Sequence, residues 1–291
     1  MIPPSFEYYA PTTMEEAIRL LKRLGSEAKI LSGGMSLIPL MRLRLAAPRY
    51  LIDLNRISGL AYIKEADGFL RIGALTREAE LENSDLLRSR YPILVETASV
   101  IGDPLVRNRA TIGGNLAHGD PANDHPATMM ALGAEVVATG PTGERKIPIT
   151  SFFTGFYATA LAPDEILTEI SIPIPPPHSS GTYMKLERKV GDFATAGVAA
   201  QLTLGRGDRC ERVSIGLTNV GPVPIRARHA EAVVHGKKLE VEVVRQAAQW
   251  AAEESQPNPD LRGSAEYKRD LVRVLTIRAL NRALEQARRG T

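Results

Sequence analysis

The beginning of the chain shows two periods of hydrophobic residues, and each change of period indicates a new element. Apolar residues recur at helical spacing between Thr13, which opens a capping-box pattern, and Gly25, which ends the pattern. Short apolar runs at 28–31 and 50–54 are typical of buried strands, and a second helical pattern lies between them at 37–45. A strand, a glycine turn, a helix and a second strand predict an α/β beginning.

Alternating patterns beyond this beginning predict two hairpins, one around Asp67-Gly68 and one around 140–143. A mostly helical pattern at 81–101 separates the hairpins, and the section from 102 to 125 is polar and rich in turn residues. The further elements predicted in this part are strands at 61–64, 69–72, 135–138, 146–149 and 166–174, and a helix at 127–132.

A proline run at 175–177 is the best candidate for a domain boundary, because proline removes backbone donors and holds a linker extended. Strands followed by helices favour an α+β architecture in the second part. We therefore expect a first domain at 1–177, with subdomains at about 1–55 and 56–177, and a C-terminal domain at 178–291 with a three-stranded antiparallel sheet. Its predicted elements are strands at 182–188, 194–204 and 212–219 and helices at 227–234, 241–254 and 267–288.

Composition and charge exclude several classes of protein. The 291 residues include 36 basic and 33 acidic side chains without a run of like charges, so nucleic-acid binding gets no support. No apolar stretch approaches the roughly 18 residues that a membrane span needs, and no signal peptide is visible. The single cysteine, Cys210, excludes an internal disulfide framework and a cysteine-ligated iron–sulfur cluster within this chain. A reducing, cytoplasmic setting is expected.

Two glycine turns are candidates for anion binding. Ser32-Gly33-Gly34-Met35-Ser36 follows a predicted strand, and Thr111-Ile112-Gly113-Gly114-Asn115 lies in the polar section. Paired glycines let a backbone approach a ligand closely, and successive N–H groups can form an anion nest. Each turn alone is also compatible with a plain loop. Together, the two turns could hold the two phosphates of one pyrophosphate.

The segment from His118 to His125 leaves three interpretations open. His118, Asp120, Asp124 and His125 together could form a metal site. The segment could equally be an Asx-rich turn in which Asp124 caps the following helix. A third possibility is a polar loop that binds the sugar hydroxyls of a nucleotide.

Four segments of the sequence, at 28–37, 101–115, 120–124 and 185–194, together resemble the flavin-binding medium subunits of molybdenum hydroxylases. The nearest members are the carbon monoxide dehydrogenase medium subunit and the FAD domain of xanthine dehydrogenase. The resemblance runs over essentially the whole chain. It implies a two-subdomain FAD-binding domain of the vanillyl-alcohol-oxidase type, followed by a C-terminal domain of the carbon monoxide dehydrogenase flavoprotein type.

The resemblance also implies where FAD is bound. Its pyrophosphate would rest on the two glycine turns, and Phe193 falls where some members place an aromatic residue over the isoalloxazine face. Met35 stands where many close relatives have His; since the turn uses backbone there, FAD binding should survive the difference. The implied cofactor-binding positions are Lys29, Ile30, Leu31, Ser32, Gly33, Gly34, Met35, Ser36, Ile101, Thr111, Ile112, Gly113, Gly114, Asn115, His118, Asp120, Asp124, Leu167, Lys185 and Phe193.

The implied role is electron transfer without a catalytic acid–base set on this chain. Electrons would arrive from a small 2Fe-2S subunit, and FAD would pass them to an external acceptor; a large subunit would carry the molybdenum cofactor, and the heterotrimer would form a dimer. The lone cysteine agrees with clusters that lie on other chains. Two alternatives remain: a stand-alone metal-dependent enzyme built on the 118–125 segment, and a non-catalytic nucleotide-binding module. The sequence of this chain names neither the substrate of the complex nor its electron acceptor.

Overall fold

The computed structural model describes residues 2–289, which form three main sheets with helices packed on them. The helices are α1 Met14–Leu24, α2 Leu37–Arg42, α3 Glu78–Asn83, α4 Asp85–Arg90, α5 Pro92–Ser99, α6 Pro104–Arg107, α7 Ile112–His118, α8 His125–Leu132, α9 Arg228–Val234, α10 Val241–Glu254 and α11 Ala265–Arg289. The strands are β1 Glu7–Tyr9, β2 Ala28–Leu31, β3 Tyr50–Asp53, β4 Ile63–Ala66, β5 Phe69–Gly73, β6 Glu135–Gly140, β7 Gly143–Pro148, β8 Phe153–Gly155, β9 Ala158–Thr159, β10 Ile166–Pro173, β11 Ser179–Leu186, β12 Ala196–Leu204, β13 Cys210–Thr218 and β14 Ile225–Arg226.

The first sheet is parallel, with strand order β1-β3-β2, and α1 buries its apolar side against it. Thr13 caps α1, since its hydroxyl oxygen accepts from the N–H of Glu16 at 3.2 Å. The Glu16 carboxylate reaches back to the N–H of Thr12 at 3.1 Å, one position before the predicted box partner. The predicted order of strand, turn, helix and strand is confirmed, although α2 ends at Arg42 rather than at position 45.

The second sheet is antiparallel, with strand order β4-β5-β10-β6-β7. Asp67 and Gly68 both have positive φ, 53° and 80°, as a tight two-residue hairpin turn requires. The apolar residues of one face, with Leu70, Ile72 and Ile170 fully buried, form a single core with the inner sides of α3, α4, α5, α7 and α8. The two predicted hairpins are therefore confirmed.

The section from 78 to 118 is more broken and more helical than its sequence indicates. The predicted helix at 81–101 is three helices, α3 to α5, because Ser84 caps α4 and Pro92 occupies the first turn of α5. The predicted polar loop contains α6, capped by Asp103, and α7, capped by Thr111. The strands β1, β8 and β9 were not predicted, because two or three residues are too few for an alternating pattern.

The third sheet has four antiparallel strands, in the order β11-β12-β13-β14, so the expectation of three strands is wrong. The fourth strand, Ile225–Arg226, pairs with residues 216 and 217 of β13 and is too short to be recognised from sequence. Helices α9, α10 and α11 bury their apolar sides on this sheet, and the free Cys210 is buried in that core.

A polar junction joins the third sheet to the helices of the second. The carboxylate of Glu96, in α5, accepts from the Thr182 hydroxyl at 2.6 Å, from the Tyr183 N–H at 3.1 Å and from Arg282 at 2.6 Å. At Gly216 of β13, a Cβ atom would lie 2.1 Å from the carbonyl oxygen of Ala127 in α8. The two parts are thus in direct backbone contact. Between residues 2 and 289, no helix combines the length and apolar character that crossing a membrane requires.

Candidate functional site

The first glycine turn, Ser32–Ser36, follows β2 at the carboxyl end of the parallel sheet. Gly33 is buried, and a Cβ atom there would lie 2.4 Å from the carbonyl oxygen of Arg109, so only glycine fits. Gly34 has φ +76°, which also favours glycine. Within residues 2–289, the N–H groups of Gly33 to Ser36 have no internal acceptor. The turn therefore presents unused backbone donors, as the sequence predicts.

The second glycine turn, Thr111–Asn115, is the first turn of α7 rather than an open loop. Its N–H groups already have acceptors: that of Ile112 donates to Thr76 O, that of Gly113 to Ala74 O, and those of Gly114 and Asn115 to Thr111. The expectation of a second backbone nest is therefore wrong for this turn. Among the described residues, however, the buried Oδ1 atom of Asn115 has no partner, so a side chain is left for a ligand.

The two turns are in contact although they lie 79 positions apart. The hydroxyl oxygens of Ser32 and Thr111 are 3.1 Å from each other. A Cβ atom on Gly114 would lie 2.7 Å from the Thr111 hydroxyl and 2.9 Å from the Ser32 hydroxyl, so this glycine keeps the contact open. Asn55 donates to the Ser32 carbonyl at 2.9 Å and supports the first turn from β3. Two hydroxyls and a row of free N–H groups thus share one surface.

Two arginines add positive charge beside these turns. Arg77 donates to the carbonyl oxygen of Arg109 at 2.5 Å and also contacts the Asn55 side chain. Burial, together with the neighbouring Arg109 charge, lowers the pKa of Arg77 from its ordinary value. A guanidinium that is desolvated and close to a second one would gain from a nearby anion. The surroundings of the turns therefore favour a ligand that carries negative charge.

The segment from His118 to His125 does not converge on one point. The Asp120 carboxylate accepts from the N–H of Ala122 at 2.9 Å and from the Tyr157 hydroxyl at 3.0 Å. The His118 ring packs 5.0 Å from the ring of Tyr157, and burial lowers its pKa. His125 is fully buried and pairs with Glu78 at 2.7 Å. Across residues 2–289, no three His, Cys, Asp or Glu side chains are grouped so that they could hold a metal ion.

Asp124 is buried and belongs to a different network from its neighbours in sequence. One oxygen accepts from the Tyr183 hydroxyl at 2.5 Å, and the other accepts from the Lys185 ammonium at 3.2 Å. Burial raises the pKa of Asp124, and Lys185 and then Tyr183 oppose that rise. Asp124 does not cap α8, which was one interpretation of its position. Its carboxylate is instead held from the third sheet.

The Lys185 ammonium is the centre of this network. It donates to the Val100 carbonyl oxygen at 2.9 Å and to Asp124 at 3.2 Å, and it forms an ion pair with Glu187, whose Oε2 atom lies 3.0 Å away. Two of the three ammonium donors are thus bound, and among the described residues the buried Glu187 Oε2 atom has no hydrogen-bond partner. Lys185 is 3% exposed at its side chain. This charge therefore joins the end of α5, the start of α8 and the end of β11, and it places Ile101, which follows Val100 and is buried, next to the network.

The remaining positions lie at different depths. Leu167 is buried in β10, against which α7 packs. Phe193 is 46% exposed, and the Arg262 guanidinium lies 5.8 Å from the centre of its ring. The side chain of Lys29 points to solvent, whereas those of Ile30, Leu31 and Met35 are half-buried. The Asn123 amide donates to the Asn115 carbonyl oxygen at 2.8 Å, and Asn123 adjoins Asp124, so the second turn lies next to the Lys185 network. Lys29 and Phe193 are exposed.

Sequence reasoning missed Asn55, Arg77, Tyr157, Tyr183 and Glu187. Asn55 follows the end of a predicted parallel strand, a position where ligand contacts are common. Tyr183 and Glu187 lie two residues to either side of Lys185, so the period of a strand places Tyr183 on the same face. Arg77 and Tyr157 carry no comparable signal, because their partners are distant in sequence.

Comparison with known proteins identifies relatives over almost the whole chain. Residues 4–175 match the family described as the FAD binding domain in molybdopterin dehydrogenase, and residues 181–283 match the CO dehydrogenase flavoprotein C-terminal domain. The carbon monoxide dehydrogenase medium chain of Hydrogenophaga pseudoflava is 45% identical over 97% of this chain and 98% of its own length.

Solved structures agree with the sequence matches. The carbon monoxide dehydrogenase of Hydrogenophaga pseudoflava, in a form that lacks the Mo-pyranopterin moiety of its cofactor, contains a chain that superposes with a TM-score of 0.95 at 46% identity, covering 99% of both chains. Quinoline 2-oxidoreductase from Pseudomonas putida 86 contains one that superposes with a TM-score of 0.92 at 32% identity, again over 99% of both chains.

We predict that Lys185→Met lowers the free energy of unfolding by about 3–5 kcal/mol, because it leaves Asp124 as a buried, unpaired charge. Urea unfolding of the chain measures the change. Adding Asp124→Asn to Lys185→Met should restore part of the loss, since a neutral amide needs no counter-charge. Arg88→Met, which removes an exposed partner of Asp85, is the matched surface control and should cost at most about 1 kcal/mol. An equal loss of unfolding free energy in Lys185→Met and Arg88→Met would contradict this account.

Proposed function

This chain belongs to the family of FAD-binding medium subunits of molybdenum hydroxylases, and on this basis we propose that its two glycine turns and the Lys185 network hold FAD for electron transfer. The chain is thus the flavoprotein component of an oxidoreductase. The observation that carries the proposed site is the contact of the two turns, with free N–H groups on Gly33 to Ser36 beside the hydroxyls of Ser32 and Thr111.

The residues present fit the cofactor. Glycine at 33 and 114 lets the two turns lie against each other, and the unpartnered Oδ1 of Asn115 supports a polar ligand at this point. The pyrophosphate would lie on the N–H groups of the first turn and on the hydroxyl of Thr111 rather than on the N–H groups of the second turn, and the free Oδ1 of Asn115 would accept from a hydroxyl of the cofactor. Arg77 and Arg109 add favourable charge for a diphosphate.

The other contacts follow from their positions around this region. Asp120 and His118 would meet the cofactor after α7, and Ile101, Leu167 and Asp124 would line its deeper part. Lys185 would supply positive charge mainly as a fixed field, because its ammonium is buried, donates to Val100 and Asp124 and is ion-paired with Glu187. Phe193, on the outer side, would cover one face of the flavin ring. This is an assignment of positions that mutagenesis can test.

FAD supplies, when bound, the ability to take up electrons singly and to release them as a pair. The chain's own residues bind it, orient it and set the surrounding charge. Electrons would come from a partner 2Fe-2S subunit, with molybdenum in a large subunit and two heterotrimers in the complex. The lone Cys210 supports clusters on other chains, because it is buried and burial raises its pKa to about 12. A buried, reduced thiol also agrees with a cytoplasmic compartment.

The domain division proposed at 177/178 is supported by the two family matches, which end at 175 and begin at 181. Within the first part, the parallel sheet and the five-stranded sheet correspond to subdomains at about 1–55 and 56–177. A two-subdomain fold of the vanillyl-alcohol-oxidase type is the finer assignment that we propose for this part.

The substrate of the complex is set outside this chain. One relative belongs to a carbon monoxide dehydrogenase and another to a quinoline oxidoreductase, and the chain superposes closely on both. The same flavin-binding architecture therefore accompanies different substrates. A stand-alone metal-dependent enzyme is not favoured, because within residues 2–289 His118, Asp120, Asp124 and His125 do not form a group that could hold a metal ion.

The proposed role predicts that a complex without this chain still accepts electrons from its substrate but no longer delivers them to an acceptor. Rapid mixing with substrate would reduce the molybdenum and iron–sulfur centres, whereas steady-state reduction of a dye acceptor at the flavin would stop. Adding back the chain with FAD should restore turnover. Full turnover without the chain would disprove the role, and FAD binding without any reduction by the partners would favour a non-catalytic nucleotide-binding module.

We predict that the chain binds one FAD and that Gly114→Val abolishes this binding, because a branched side chain cannot occupy the contact between Thr111 and Ser32. Quenching of flavin fluorescence measures the titration. Gly205→Ala is the control, since a Cβ atom there would meet no atom closer than 3.0 Å and only the Glu211 side chain within 3.4 Å. A folded Gly114→Val chain with normal flavin content would disprove the role of this contact.

We also predict that Asp124→Ala weakens FAD binding more than Asp103→Ala does. Both carboxylates lie at the start of a helix, but Asp103 is exposed and only caps α6 through the N–H of Val106 at 2.9 Å. Asp124 is buried beside Lys185. Dissociation constants from the same fluorescence titration compare the two variants. Equal constants would remove Asp124 from the proposed contacts.

A further inference from the structure

Tyr183 holds the Asp124 carboxylate from the same strand as Lys185. Tyr183 is 5% exposed, and its hydroxyl donates to one Asp124 oxygen at 2.5 Å. Lys185, two positions later on the same face of β11, donates to the other oxygen at 3.2 Å. With one donor on each oxygen, the carboxylate cannot rotate without losing a hydrogen bond. Its orientation is therefore fixed by β11.

Gly197 provides the space in which the Tyr183 hydroxyl lies. A Cβ atom on Gly197 would be 2.4 Å from that hydroxyl oxygen. Gly197 lies in β12, directly opposite Lys185 in the antiparallel register. Its backbone is not left-handed, so its conformation does not require glycine. Glycine inside a strand weakens the strand and is typical of a site where another group comes close to the backbone. Here that group is the Tyr183 hydroxyl.

We propose that Tyr183, in the space left by Gly197, is a positioning residue that orients Asp124 for its contact with FAD. This inference rests on the proposed contact of Asp124 and adds a residue that acts through it. The Tyr183 hydroxyl is directed at Asp124, and its backbone N–H is bound to Glu96. Tyr183 therefore links the carboxylate both to the third sheet and to α5.

The charges around Asp124 give the inference a pH signature. Lys185, Tyr183 and Glu187 face it from β11 and the residue that follows, while His125 adjoins it in α8 and is paired with Glu78 of α3. Donation from Tyr183 opposes the rise that burial causes in the pKa of Asp124. Loss of the hydroxyl would raise this pKa further. On acidification, the variant that lacks this hydroxyl would therefore begin to lose FAD affinity at a higher pH than the unaltered chain.

The test is Tyr183→Phe in the full chain, with FAD titrations from neutral to mildly acidic pH. We expect the dissociation constant to increase roughly tenfold at neutral pH, the scale of a hydrogen bond to a charged group. We also expect the loss of affinity on acidification to begin at higher pH. The matched control is Tyr91→Phe, which removes a hydroxyl that donates to Glu65 at 2.7 Å from an equally buried ring. Thermal unfolding of the FAD-free chains separates stability from affinity.

Gly197→Ala provides an independent variant. Its methyl group would displace the Tyr183 hydroxyl, so FAD binding should weaken while Tyr183 is present. In the Tyr183→Phe background the same change should have a smaller further effect on FAD binding, because the oxygen that it would contact most closely is gone and the remaining neighbours need to shift only by a few tenths of an ångström. The next atoms, the Tyr183 ring carbon Cζ and the Thr218 methyl, are both 3.1 Å away. Strong coupling between the two substitutions supports the positioning role, and simple additivity contradicts it.

Two further outcomes separate this inference from the proposed function. If Asp124→Ala weakens FAD binding but Tyr183→Phe matches the unaltered chain in affinity and pH profile, the positioning role is wrong and the Asp124 contact stands. If Asp124→Ala also binds FAD normally, the contact itself is wrong. A Tyr183→Phe effect no larger than that of Tyr91→Phe would likewise overturn the inference.

Discussion

The site depends on a contact between two backbone turns that leaves no room for a side chain. Gly33 lies against the Arg109 carbonyl, and the hydroxyls of Ser32 and Thr111 touch across the gap between the turns. One turn ends a parallel strand, and the other begins a helix packed on an antiparallel sheet. The N–H groups of the second turn hold it to the end of β5 and the residues that follow, while those of the first remain for a ligand. A turn whose N–H groups are bound within the protein thus lies against a turn whose N–H groups are free to bind a ligand.

The buried ammonium of Lys185 plays the corresponding role in the deeper part of the site. It donates to Val100 and Asp124 and is ion-paired with Glu187, and so the charge joins the end of α5 and the start of α8 to the third sheet. A buried cation of this kind is costly unless it is paired and hydrogen-bonded. Because the third sheet supplies both Lys185 and Tyr183, it contributes to the proposed site and is more than a support for it.

This arrangement agrees with a protein whose chemistry belongs to its cofactor. Backbone donors, hydroxyls and fixed charges can bind and orient FAD and adjust its surroundings, and none of them needs to transfer a proton to a substrate. The contacts of His118, Asp120, Asp124 and His125 show why a cluster of metal-binding residue types in sequence was ambiguous. His118 and Asp120 both contact Tyr157, whereas Asp124 binds Tyr183 and Lys185 and His125 pairs with Glu78, so the four side chains do not meet at one point.

The sequence by itself determined the parallel beginning, both hairpins, the two glycine turns and the family, because these depend on local periodicity, turn chemistry and a long ordered motif. It also indicated Lys185 and Asp124 through the resemblance. Only the tertiary structure decided that the donors of the second turn are occupied, that a fourth strand completes the last sheet, that Tyr183 binds Asp124 and that Arg77 contacts Arg109. These features are contacts between residues far apart in the chain, and such contacts leave no period or spacing in the sequence from which they could be predicted.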